Sequence, residues 1–233
     1  MVINMNNFID AFYLNFIKDE RWKYITGGLK TTLTVTFFAV IMGIVLGFLV
    51  GVIRSTYDKT GKLKILNALC NVYLTIIRGT PVVVQLLITY FVIFGSVNIN
   101  KVVVAVIAFG VNSGAYVAEI IRSGIMSVDN GQFEAGRSIG FTYGQTMIHI
   151  ILPQAFKNVL PALANEFIVL LKETSVAGYI ALEDLTKGGD IIRSRTFNAF
   201  MPLIGVAIIY LLMVMIFSYF VKCLERRLRN SEH

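Results

Sequence analysis

The stretch GLKTTLTVTFFAVIMGIVLGFLVGVI, Gly28–Ile53, carries a single ionisable side chain, Lys30, at its very start. From Leu29 to Ile53 it offers more than the ~20 apolar residues that cross a bilayer as a helix. The composition agrees: 56% of the 233 residues are hydrophobic and 15% charged, with a mean hydropathy of +0.71. A soluble domain carries about a quarter charged residues, so the chain reads as an integral membrane protein. Its net charge of +7 then belongs to basic cytoplasmic loops, and no nucleic-acid partner is expected. Cys70 and Cys223 stand far apart beside apolar runs and read as reduced packing residues. The start, MVINMNNFIDAFYLNF, lacks the basic lead and cleavage site of a signal peptide.

Four further spans follow. PVVVQLLITYFVIFG (Pro81–Gly95) is entered from the more mixed residues before it. VVVAVIAFGVNSGAYVAEII (Val102–Ile121), VLPALANEFIVLLKETSVAGYI (Val159–Ile180) and PLIGVAIIYLLMVMIFSYFV (Pro202–Val221) complete the set. The expected fold is thus all-α, with about five transmembrane helices. Arg54, Lys59, Lys62 and Lys64 follow the first span, and Lys222, Arg226, Arg227 and Arg229 the fifth. Both clusters are expected in the cytoplasm, which puts the N-terminus outside and the C-terminus inside. Lys18, Arg21 and Lys23 run against the rule on the outer side. The chain divides into an N-terminal extracytoplasmic segment (1–28), a transmembrane domain (29–221) and a cytoplasmic tail (222–233). Phe8, Phe12 and Phe16 repeat at i, i+4, i+8; they form one apolar face, suited to the outer interface, unless the segment is an unanchored tail.

This topology makes the loop from Arg122 to about Asn158 the longest cytoplasmic one. Its centre, EAGRSIGFTYGQTMIHIILPQ (Glu134–Gln154), reads as a short helix, a glycine break and a second helix heading for the membrane, with Pro153 near the bend. Glu134-Ala135-Gly136, then Gly140, then Ile150, Leu152 and Pro153 reproduce the spacing of the loop that reads EAA, three residues, G, nine residues, I-x-L-P. In that pattern and at every fixed position but Gly136, where the family has alanine, the chain resembles the permease subunits of bacterial ABC importers. RGTPVVVQL (Arg78–Leu86) and NEFIVLLKETS (Asn165–Ser175) look like the polar amino acid branch of that family.

The resemblance implies a multi-pass protein of the bacterial cytoplasmic membrane and a cytoplasmic coupling helix between the third and fourth spans. Glu134, Ala135, Gly136, Arg137 and Gly140 would dock that helix on a cytoplasmic ATP-binding subunit. It further implies a second permease copy or a sister permease, an extracytoplasmic substrate-binding protein and a polar amino acid as cargo, all set in membrane lipid. ATP and Mg belong to the partner ATPase, and no cofactor or metal is expected on this chain. The residues agree: no G-x-x-x-x-G-K-[ST] phosphate loop is present, and the only histidines are His149 and His233, so no enzymatic chemistry is expected.

Polar side chains at bilayer depth are costly and face a cavity or a partner. Glu166 lies about 12 Å into the fourth span, as an acceptor for the ammonium of an amino acid. Asn112 or Ser113 is a donor for its carboxylate, and Gln85 adds a further polar group from the second span. The alternative role for each is a hydrogen bond between helices. Gly43, Gly47 and Gly51, and Gly110, Gly114 and Ala118, form two ladders of small residues that let helices approach closely, most simply within one subunit. An ion-coupled carrier or channel with the same spans and no ATPase is the rival function.

Overall fold

The computed structural model describes residues 5–230, with side chains from 8 to 228, and its regular elements are all helices. They are α1 (Met5–Phe12), α2 (Trp22–Thr60), α3 (Lys64–Gly79), α4 (Val82–Leu87), α5 (Lys101–Met126), α6 (Asn130–Ser138), α7 (Tyr143–Thr146), α8 (Leu152–Glu173), α9 (Leu185–Thr196) and α10 (Phe200–Asn230). Among the described residues α2, α5, the run Tyr143–Ile180 and α10 are each long and apolar enough to cross a membrane. A fifth span is broken: α3 and the run Val82–Ile93 meet at 107°. The break follows from Pro81, which lacks an N–H and forces the residue before it out of the helical region; Thr80 is accordingly extended, at φ −124°, ψ 147°.

The first span is longer than its apolar core. α2 has 39 residues, about 58 Å at 1.5 Å each, so its ends stand clear of a ~30 Å hydrocarbon layer. It stops at Gly61, which takes the left-handed conformation (φ 69°) and donates its N–H to the Tyr57 carbonyl at 2.8 Å. Glycine accepts that conformation without a Cβ penalty.

α2 packs on α5 along the two small-residue ladders. A Cβ added at Gly43 would lie 2.8 Å from Ser113 Oγ, at Gly47 2.5 Å from Val117 Cβ, and at Gly51 2.8 Å from Ile121 Cβ. From the other side, Gly110 meets Met42 and Gly114 meets Leu46 and the Tyr73 hydroxyl. Both ladders are therefore spent inside the subunit. Fourteen of the 26 residues of α5 are buried, so α5 is the central helix. Val117, Ile121 and Ile125 of α5 continue into a core with Met147, Ile151, Ala155 and Val159, which seats the loop segment and α8 on the inner half of the bundle.

α9 is absent from the sequence reading. It is short and polar, LTKGGDIIRSRT, and nothing in its periodicity singles it out. The Asp184 side chain caps it by accepting the N–H groups of Thr186 at 3.2 Å and Lys187 at 2.9 Å. Its glycines explain its place: Gly188 lies against the Tyr24 carbonyl of α2 and Gly189 against Val206 of α10. On its outer side Lys187 and Arg193 hold the Asp190 carboxyl below the usual range.

The N-terminal segment is tied down from Asn15 onward. Asn15 is fully buried and accepts a hydrogen bond from the Thr196 hydroxyl at 2.8 Å, while Arg21 donates to the Leu14 carbonyl at 2.6 Å. Phe16 packs over Gly205 of α10, whereas Phe8 and Phe12 stay 46% exposed.

Gly47→Ala is expected to cost about 1–3 kcal/mol, the range for overpacking a well-filled core. Gly27, on the same helix, has nothing within 4 Å of an added Cβ, so Gly27→Ala should be neutral or stabilise by up to ~1 kcal/mol. Thermal unfolding of the two variants in detergent measures the difference; equal melting temperatures would mean that α2 and α5 do not meet through this face.

Candidate functional site

Two groups of side chains stand out, one in the loop segment and one inside the bundle. The loop segment is built by its caps. Asp129 opens α6 by accepting the Gly131 N–H at 2.6 Å. The helix closes at Gly140, where φ is +86°, and the Phe141 N–H returns to the Gly136 carbonyl at 3.0 Å. This is the glycine-terminated helix end in which a left-handed residue lets the chain reverse, and it gives a physical reason for the glycine at this place in the pattern. Thr142 and Gln145 then form a reciprocal capping box that starts α7, a signal the sequence carries and the reading passed over. Pro153 falls in the first turn of α8, where its missing N–H costs nothing.

Glu134, Ala135 and Arg137 are exposed on α6, while Gly136 is buried. A Cβ on Gly136 would sit 2.6 Å from Thr146 Cγ2. The glycine that departs from the alanine of the pattern is thus matched by the buried Thr146 beneath it. Glu134 and Arg137 also border a cavity of about 770 Å³ between α6, α7 and the end of α2. Lys59 of α2 closes one side: its ammonium donates to Asn130 Oδ1 at 2.5 Å and lies 4.8 Å from the Phe133 ring. The long helix α2 therefore touches the loop segment directly. His149 is exposed, 6.0 Å from the Phe141 ring, and belongs to no cluster of reactive groups.

Inside the bundle the four polar residues form two hydrogen-bonded pairs. Ser113 Oγ donates to Glu166 Oε1 at 2.9 Å, and Asn112 Nδ2 donates to Gln85 Oε1 at 2.9 Å. Ser113 and Asn112 are neighbours on α5, so the pairs adjoin. Glu166 is 8% exposed, Asn112 2% and Ser113 fully buried. Gln85 has a second task, since its amide nitrogen donates to the Ile77 carbonyl at 2.7 Å and the Thr80 carbonyl at 3.1 Å. These carbonyls lose their helical partners at the break before Pro81, and Gln85 satisfies them. The expected role of Ser113 changes: its hydroxyl is spent on Glu166 and not free for a carboxylate. Asn112 Oδ1 is buried with no hydrogen-bond partner, so what this cluster leaves open is acceptors.

A third group was missed. Glu119, near the inner end of α5, takes a hydrogen bond from Arg54 of α2, lies 3.2 Å from Arg122 and 3.4 Å from Arg78, and Arg122 also reaches Asp58 at 3.2 Å. Only Arg54 and Asp58 figured in the sequence reading, as loop charges; the signal overlooked was Glu119 itself, an ionisable residue within an apolar span.

The chain matches the family model described as binding-protein-dependent transport system inner membrane component over residues 43–230. It is 38% identical over 207 residues to a putative glutamine transport system permease protein of Rickettsia typhi, which spans 88% of this chain and 93% of that one. It is 36% identical over 212 residues to the arginine transport system permease protein ArtQ of Bacillus subtilis, over 90% of this chain and 94% of that one. The crystal structure of an amino acid ABC transporter with histidines superposes with a TM-score of 0.81 at 40% identity, covering 97% of this chain and 100% of that chain. These likenesses set aside the ion-coupled carrier. The chain belongs to the family of inner-membrane components of binding-protein-dependent transport systems, and it is an ABC-transporter permease subunit, not an enzyme.

Proposed function

We propose that this permease imports a polar α-amino acid by alternating access, paired with a second permease copy or a sister chain. It would be driven by ATP and Mg on a separate cytoplasmic subunit and loaded by an extracytoplasmic binding protein. The observation that carries the reading is the pairing of Glu166 with Ser113 beside the unpartnered Asn112 Oδ1. A buried acceptor without a donor costs about 1–3 kcal/mol, and an ammonium group supplies such donors. The relatives named for glutamine and arginine share only the α-ammonium and α-carboxylate, so a site that takes the ammonium suits either cargo. Glu166→Gln keeps the shape and removes the charge. In the purified permease–ATPase complex it is expected to weaken amino-acid binding by roughly 10- to 150-fold, from ~1.5–3 kcal/mol for a hydrogen bond to a charged group. Loss of assembly instead would assign Glu166 to holding α5 and α8 together, and unchanged affinity would move the site elsewhere.

Docking of the ATPase on α6 is supported by the exposed Glu134, Ala135 and Arg137 and by the turn at Gly140. Gly140→Val places a β-branched residue at φ +86°, a conformation such residues avoid. Together with Glu134→Lys it should leave the protein in the membrane but reduce co-purification of the ATPase and uptake. Normal uptake with both changes rules α6 out as the docking element.

The orientation we propose has the N-terminus outside, with α6 and the end of α2 in the cytoplasm, as the basic residues after the first and fifth spans require. A reporter fused at the N-terminus should be active only outside and one fused after Arg229 only inside; an N-terminal fusion active in the cytoplasm overturns the five-span topology.

A further inference from the structure

The polar residues of α3 and α5 recur at matched spacing. Asn71, Thr75 and Arg78 stand at i, i+4, i+7 on α3, and Asn112, Tyr116 and Glu119 at the same intervals on α5, so each set shares one helix face. Between them lies a cavity of about 490 Å³ bordered by Arg54, Asn71, Thr75, Arg78, Tyr116 and Glu119. That volume falls within the ~300–1,000 Å³ of small-molecule sites. Asn71, Thr75 and Arg78 are all exposed. An amide, a hydroxyl and a guanidinium on one face of a membrane helix turn to an aqueous path and not to lipid. The path leads back to Asn112, which sits about 10 Å of helix rise from Glu119.

The cavity holds more cation than anion. Arg54, Arg78 and Arg122 meet two carboxylates, Glu119 and Asp58, leaving one positive charge in excess. Arg78 is the surplus group. It has the longest contact with Glu119, at 3.4 Å, and its side chain is 46% exposed against 18% for Arg54 and 31% for Arg122. Its guanidinium lies 5.9 Å from the Tyr116 ring. A planar guanidinium with free donors on an open wall is suited to bidentate capture of a carboxylate. Arg78 can turn to that carboxylate without stranding Glu119, which keeps Arg54 and Arg122. We propose that Arg78, with Thr75 and Tyr116, forms a second binding site that takes the α-carboxylate of the amino acid between the Glu166–Asn112 cluster and the inner side. The inference rests on the proposed function. The phosphate of an inner-leaflet lipid has the same chemistry, and the test separates the two.

The test uses the purified permease–ATPase complex without binding protein, and equilibrium binding of tritiated L-arginine and L-glutamine. Wild type is expected to hold two molecules per permease of the amino acid it takes. Arg78→Gln should weaken one site by roughly tenfold or more, with Arg78→Lys recovering part of it, while Glu166→Gln weakens the other. For arginine, agmatine, which lacks the carboxylate, should compete at the Glu166 site and not at the Arg78 site, a distinction that a merely structural arginine would not produce. Thr75→Val and Tyr116→Phe leave the ion pairs in place and should weaken the same site, so the proposal stays testable if Arg78→Gln fails to assemble. A single site in wild type, or two sites indifferent to all of these changes, overturns the proposal. So does phosphatidylglycerol, but not phosphatidylcholine, emptying the Arg78 site of amino acid and remaining bound there. A complex with no affinity for either amino acid sinks the proposed function and this inference together, whereas two sites unaffected by Glu166→Gln sink only the first.

Discussion

The approach of α2 to α5 fixes the positions of the other groups. Three glycines of α2 meet Ser113, Val117 and Ile121 of α5 at distances that exclude a Cβ. Glycine inside a helix costs about 1 kcal/mol relative to alanine. The contact offsets it, since helices in lipid gain association energy from close packing and not from the hydrophobic effect. The consequences run along α5. With Ser113 pressed on Gly43, its hydroxyl reaches Glu166 of α8, and Asn112 beside it reaches Gln85. Two turns further in, the same register brings Glu119 within reach of Arg54 of α2. A bulkier α2 would push these groups apart together.

The broken span depends on α5 in another way. Cutting a helix inside a membrane frees carbonyls that water cannot satisfy, and such breaks persist only where protein or a wet cavity takes over the lost bonds. Gln85 does this for Ile77 and Thr80 with one amide nitrogen, while its oxygen accepts from Asn112. The break at Pro81 and the buried cluster on α5 are therefore one hydrogen-bonded unit, joining α3, α4 and α5 to the residue next to the Glu166 pair.

The legible part of this fold is what hydropathy and proline report. The five spans, the break at Gly140 and the helix before it could be read because apolar length and glycine placement are local properties of the chain. The length of α2 beyond the bilayer was not legible, since RSTYDKT has no hydropathy signal and is helical only because it continues a helix already made. α9 was hidden because its place is set by glycines meeting backbone and side chains of α2 and α10, contacts between residues far apart in sequence. Among the site residues, identity was legible and pairing was not. Glu166, Asn112, Ser113 and Gln85 drew notice as polar groups in apolar runs. That Ser113 serves Glu166 while Asn112 keeps a free acceptor follows from the register of three helices. Glu119 escaped notice because its partners Arg54, Arg78 and Arg122 lie on three different helices.

The same connections give the loop segment a mechanical route to the interior. Lys59 ties the end of α2 to Asn130 at the start of α6, and Gly136 seats α6 on Thr146. From there Met147, Ile151 and Ala155 pack against Ile121 and Ile125 of α5. A displacement of α6 thus meets α2 through a hydrogen bond and α5 through a packed core. The two contacts differ in stiffness: the exposed Lys59–Asn130 bond can break at small cost, whereas the core has no free volume in which to slide. Motion of α6 is therefore carried to α5 and α8, the two helices that bear Ser113 and Glu166, more firmly than to α2. Separating that pair exposes Glu166, Ser113 and Asn112 together, so a single displacement changes the hydrogen-bonding demand of the whole buried cluster. This places the bistable element at the α5–α8 contact, with α2 as the fixed wall against which it works.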